Sequence, residues 1–85
     1  MTWTIRYARA AERAIDTLDP AVRRRVLTAI GSLANDPYAA PNVKALRGAA
    51  QYRLRVGDWR VIYTLHDGAL VVLVLRVAHR REAYR

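Results

Sequence analysis

Residues 51–65 read QYRLRVGDWRVIYTL, and they decide the fold. Gly57-Asp58 predicts a two-residue hairpin loop, because glycine supplies the positive φ that a type II′ turn needs. Pairing outward from that turn sets Val56 opposite Trp59, Leu54 opposite Val61 and Tyr52 opposite Tyr63, all apolar or aromatic and all on one face. The other face pairs Arg55 with Arg60 and Arg53 with Ile62. Like charges held opposite each other destabilise a sheet. A wet hairpin face can carry arginine for solubility and to guard an edge. Three arginines together, with no acid on their face, point instead to a site for a multiply charged anion. Arginine matches phosphate with two parallel hydrogen bonds.

The pattern extends outward in both directions. Trp3, Ile5 and Tyr7 alternate with Thr4 and Arg6, which predicts a strand over Trp3–Ala8. Ala11, Ala14, Ile15 and Leu18 make one face of a helix over residues 9–18. Asp19-Pro20 restarts the chain as N-cap and first helical residue. The second helix runs to about Ala34 on a stripe of Val22, Val26, Ala29, Ile30 and Leu33, with Arg23, Arg24 and Arg25 on a solvated face. Asn35-Asp36-Pro37 stops it. Residues 36–50 are expected to be a loop carrying Lys44 and Arg47 toward the hairpin. Asp67-Gly68 predicts a second two-residue turn, of type I′. Ala69–Val77 is apolar on both faces and belongs inside the sheet.

The expected architecture is α+β, with residues 1–85 as one domain: an N-terminal strand, an antiparallel helical hairpin, then three antiparallel strands. They form one small sheet, covered by the helices on one face and open on the arginine face. One tension follows. With strict pairing through a two-residue turn at Asp67-Gly68, Arg60 faces Leu75 and Arg80 lies on the covered side. For Arg80 to join the other arginines, the last strand must bulge or bend near Ala78, or the turn must be longer.

The net charge of +8 and pI near 11.1 imply a polyanionic partner. Of the 15 basic residues only Lys44 is lysine. The chain has no cysteine, hence no disulfide and no thiol nucleophile or thiolate metal site. No signal peptide is evident, and the longest apolar run, Ala69–Leu75, is too short to span a bilayer; a cytoplasmic protein without a membrane partner is expected. The seven acids form no metal-ligand cluster, and His66 and His79 lack ligand spacing. There is no phosphate-cradling glycine loop and no serine nucleophile motif. What remains is arginine, tyrosine and histidine around a phosphate.

That set suits RNA cleavage, because RNA carries its own nucleophile in the 2′-hydroxyl. The protein has only to align it, stabilise charge on the phosphoryl oxygens and move protons. Arginines serve the second role but are poor bases. Tyr84 and His79 are the candidates for the base. A tyrosine's reference pKa of about 10 would fall beside arginines, and histidine as a class titrates near neutrality.

KALRG at 44–48, YRLRVGDWRVIY at 52–63 and VLRVAHRREAYR at 74–85 resemble the RelE side of the RelE/ParE toxin superfamily of bacterial toxin–antitoxin pairs. The resemblance spans the chain in element order. It implies a ribosome-dependent mRNA endonuclease that acts without a metal or cofactor and is held inactive by a cognate antitoxin, here expected to be acidic. It implies that Arg53 and Arg55 stand where some members have lysine, that Arg60 is the following strand's arginine, that Arg80 protonates the leaving oxygen and that Tyr84 stacks on or orients a base. Lys44, Arg47, Arg76, Arg81 and Arg85 are candidates for holding RNA around that set. Two features depart from the pattern: the tail beyond Arg80 is short, and arginines at 53 and 55 remove a lysine base. The alternatives are a ParE-like inhibitor that binds DNA gyrase, and an inert relative that binds only RNA or its antitoxin.

Overall fold

The computed structural model describes residues 2–46, 48 and 50–82 of the chain. The elements are β1 (Thr4–Tyr7), α1 (Arg9–Asp16), α2 (Pro20–Ser32), β2 (Val43–Ala45), β3 (Gln51–Val56), β4 (Trp59–His66) and β5 (Val71–His79). The strands form one sheet in the order β1-β5-β4-β3-β2. β1 runs parallel to β5 and every other neighbouring pair is antiparallel. β2 lies within the segment expected to be a loop. It is a three-residue edge strand that pairs Lys44 with Arg53, too short to show a period of its own.

The β3–β4 hairpin has the expected register throughout, from Val56↔Trp59 to Tyr52↔Tyr63. Gly57 takes φ +59° while Asp58 stays at negative φ, as a type II′ turn requires. α1 and α2 cover one face. Ala11, Ile15, Leu18, Val26, Ile30 and Leu33 pack there against Leu54, Val61, Tyr63, Val72, Val74 and Val77. Fully burying a side chain such as Leu33 or Ile30 contributes about 1.5–3 kcal/mol. A row of rings, Trp3–Tyr38–Tyr52–Tyr63, with centroids 5.8, 5.9 and 5.6 Å apart, closes one end of the core. Tyr63 donates its hydroxyl to the Pro37 carbonyl at 2.6 Å.

Four local expectations are corrected. Asp67-Gly68 is not a type I′ turn: His66 pairs with Val71 around a 3-10 turn over Asp67–Ala69, and Leu70 takes φ +52°. The left-handed position falls on a leucine, which the turn chemistry of the sequence does not advertise. β5 accordingly spans Val71–His79. Asp19 occupies the N-cap of α2 but makes no side-chain capping bond. Arg23 is not a solvated charge. It crosses to the end of α1 and the turn that follows, and donates to the carbonyls of Ile15, Asp16 and Leu18 at 3.1, 3.0 and 3.0 Å, where the chain leaving a helix is short of backbone donors.

The register shifts between Ile62 and Tyr63: Tyr63 faces Val74 but Ile62 faces Arg76, so Leu75 is an extra residue in β5. The lengthened turn alone leaves the parity of β5 unchanged, since it adds two residues. The bulge reverses it. The irregularity foreseen near Ala78 lies at Leu75 instead.

Candidate nucleic-acid interface

The open face of the sheet is basic from edge to edge. Lys44 on β2 sits beside Arg53 on β3, which faces Ile62 on β4, which faces Arg76 on β5. The next row is Arg55, Arg60 and Ala78. Arg6 on β1 is on the same face, opposite Leu73. These strands place no acidic side chain there. Arg53, Arg60 and Arg76 are half-buried and Arg55 is exposed. Ile62 and Ala78, each 7% exposed, lie outside the main core and are interleaved in register with the arginines of this face.

Arg60 is held by its own turn. Its Nη1 donates to the carbonyls of Gly57 and Trp59 at 3.0 and 3.1 Å. Its Nε is buried and meets no acceptor. A buried charged donor left open is costly, and a phosphate oxygen would satisfy it. An open groove of about 440 Å³ is lined by Lys44, Ala45, Leu46 and Arg53. A smaller pocket of about 170 Å³ on the helix side is lined by Tyr7, Glu12, Ile15, Asp16 and Leu27. Its carboxylates have the wrong sign for a phosphate.

The bulge at Leu75 decides which C-terminal residues join this face. Arg76 and Ala78 are brought onto it, and Arg80 follows in alternation. Arg80 donates its backbone N–H to the Asp58 carbonyl at 2.7 Å, and its guanidinium lies 3.8 Å from the Asp58 carboxylate. So the arginines have one acidic neighbour after all, supplied by the hairpin turn. Arg76 donates to the Glu82 carbonyl at 2.6 Å, which ties Glu82 to this face. His79 is not brought to the arginines. It pairs with Trp59 on the helix side, with the rings edge to face and 5.5 Å between centroids. Arg81 is exposed and its backbone N–H points to His79 Nδ1 at 3.4 Å. Arg47, Tyr84 and Arg85 lie outside the described residues.

The tyrosines whose titration is perturbed move away from a basic role. Burial pushes Tyr7 and Tyr63 up. The hydrogen bond to Asp67 pushes Tyr38 up to about 12. Among the described residues no group of His, Cys, Asp and Glu could hold a metal ion, and no helix is long and apolar enough to cross a membrane.

Sequence reasoning missed Arg6, whose membership of the face depends on β1 running beside β5. It also missed Asp58 as the neighbour of Arg80. The signal for Asp58 was present in the turn itself, but its partner was fixed only by the bulge.

Comparison with known proteins bears on the family and the fold. A family model described as ParE toxin of type II toxin-antitoxin system, parDE, matches residues 3–84. Toxin RelG of Mycobacterium tuberculosis is 30% identical over 86 residues, covering 100% of this chain and 99% of RelG. The toxin–antitoxin complex RelBE2 of M. tuberculosis contains a chain that superposes with a TM-score of 0.82 at 31% identity, over 94% of this chain and 100% of that one. The RelE–RelB complex of Pyrococcus horikoshii gives a TM-score of 0.83 at 30% identity, over 98% and 100%. With the helical pair, the five-stranded sheet and its basic face, these matches establish that the chain belongs to the RelE/ParE toxin family of type II toxin–antitoxin systems.

Proposed function

We propose that this toxin is a ribosome-dependent mRNA endonuclease. The observation that carries this reading is the cluster of Arg53, Arg55 and Arg60 on one open face, with Arg80 at its edge and a buried Arg60 Nε still lacking an acceptor. A protein that acted only by occupying another protein has no need of such a cluster. In the proposed reaction the 2′-oxygen of the message attacks the adjacent phosphorus, the bond to the 5′-oxygen breaks, and a 2′,3′-cyclic phosphate remains. The proton leaves the 2′-hydroxyl and another reaches the departing 5′-oxygen. Arg53, Arg55 and Arg60 stabilise charge on the phosphoryl oxygens, and Arg80 supplies the leaving-group proton or its electrostatic equivalent. Tyr84 is assigned the contact with the base of the RNA. For proton abstraction Tyr84 is preferred to His79, because the register directs His79 to the other side of the sheet. No step calls on a metal or cofactor. Lys44, Arg76 and Arg81, with Arg47 and Arg85, are assigned to the RNA backbone.

Induction of the toxin followed by primer extension on a reporter message tests this. Discrete cuts within translated codons are expected. Intact message together with DNA breaks and an SOS response would overturn it in favour of a gyrase inhibitor, the reading to which the ParE description of the family model lends weight. Tyr84→Phe and Tyr84→Ala separate the two roles of Tyr84: equal damage identifies a base, whereas damage by Ala alone identifies stacking.

The RelE chains compared above are held in complexes with RelB. The partner proposed here is an acidic, amphipathic antitoxin segment that covers the arginine face or displaces the tail after Arg80. Association should slow and weaken with added salt.

A further inference from the structure

The β3–β4 turn is approached by arginines from three directions. From β4, Arg60 Nη1 donates to the Gly57 carbonyl at 3.0 Å. From the end of β5, Arg80 reaches Asp58, with its N–H on the carbonyl and its guanidinium 3.8 Å from the carboxylate. From α2, on the helix side, Arg25 lays its guanidinium over Gly57. Its Nη2 would lie 2.9 Å from a Cβ at that position, so the bare glycine is what lets it come so close. The turn offers one carboxylate, and Arg80 engages it. Among the described residues none accepts a hydrogen bond from Arg25 or forms an ion pair with it. Its neighbour Arg23 differs, being committed to three carbonyls.

Three guanidiniums converge on this two-residue turn, and its single carboxylate, already engaged by Arg80, does not offset their mutual repulsion. We infer that Arg25 is a further RNA-contacting residue, carrying the basic surface around the tip of the hairpin to a second backbone phosphate beyond the one at Arg53, Arg55 and Arg60. This rests on the proposed RNA cleavage. It assigns Arg25 to binding and not to the chemical step, because it approaches the turn from the side opposite the open face. The phosphate belongs to the message or to ribosomal RNA.

The test measures cleavage of a reporter message on programmed ribosomes by the full chain. Arg25→Ala and Arg25→Met, which keeps an apolar stem and loses the charge, should raise KM by about two- to fivefold, as expected for loss of one solvent-exposed ionic contact, with kcat within about twofold. Arg25→Lys should restore most of the affinity. The salt dependence of kcat/KM should flatten by about 0.7 in log–log slope, the loss of one phosphate contact on a single strand. Arg24→Ala, an exposed change of the same charge on the adjoining face of α2, should do less on each count. Binding of a short RNA with a 2′-deoxy group at the cleavage site assigns the phosphate: weakened binding by Arg25→Ala places it in the message, unchanged binding with a raised KM in the ribosome. If wild type cleaves but Arg25→Ala and Arg24→Ala are indistinguishable, this inference alone is wrong. The same holds if Arg25→Ala weakens only antitoxin binding. If wild type does not cleave, both readings fall.

Discussion

The two faces of the β3–β4 hairpin are made from alternate residues of one short stretch, yet they do opposite work. Leu54, Val61 and Tyr63 are buried under the helices. Arg53, Arg55 and Arg60, interleaved with them, stand on the open side without a carboxylate among the strands. The covered face gains stability from burial. The open face gathers like charges and gives some of that stability up. Functional surfaces are often strained in this way, with the strain held by the packed side.

The comparison can be broken first at the core. Leu54→Ala, at 3% exposure, should cost about 2–5 kcal/mol, a fall in Tm of well over 8 °C for a domain of this size, as read by thermal denaturation. An unchanged Tm would mean that the faces are assigned the wrong way round. On the other face, Arg60→Ala should raise the barrier to cleavage by about 2.7–4 kcal/mol and abolish growth inhibition. Its Tm should hold or rise, since it relieves repulsion by Arg55. Retained toxicity in a well-expressed variant would remove the arginine cluster from the chemistry.

Smaller changes sharpen the boundary. Tyr63→Phe keeps the ring stacked on Tyr52 but leaves the Pro37 carbonyl without its buried donor. A loss of about 1–3 kcal/mol is expected in denaturant titration, with no effect on cleavage beyond that of stability. The smallest effect is expected at Tyr38. Its hydroxyl titrates at about 12 rather than 10 because it donates to Asp67. A raised folded value means that the fold favours the neutral phenol. The contribution is complete below pH 10 and fades as pH rises through about 12. Tyr38→Phe should flatten stability against pH in that window and leave neutral pH almost untouched. A wild-type curve already flat there would show that the Asp67 contact does not hold in solution.

A further contrast separates the two hairpins. The β3–β4 turn is written in two residues, Gly57-Asp58, and the alternation around it is unambiguous, so its register was legible to the last pair. The β4–β5 connection was not. Its left-handed residue is Leu70 where a glycine would be expected, and β5 reads VVLVLRVAH, apolar in either parity. Val74 and Val77 are both buried against the helices, and residues three apart cannot share a face in a regular strand. Leu75 is therefore extruded as the bulge, a choice made by the helices that cover the sheet.

The sequence by itself determined the helical pair, the β3–β4 register and the Arg53–Arg55–Arg60 face, because each follows from local turn chemistry and periodicity. Only the tertiary structure decided that Arg76 and Arg80 join that face while His79 leaves it, that Arg6 and Lys44 extend it from both edges, and that Arg25 reaches the hairpin tip. Those outcomes depend on long-range packing: a strand apolar on both faces carries no parity of its own, and the core it must fill supplies one.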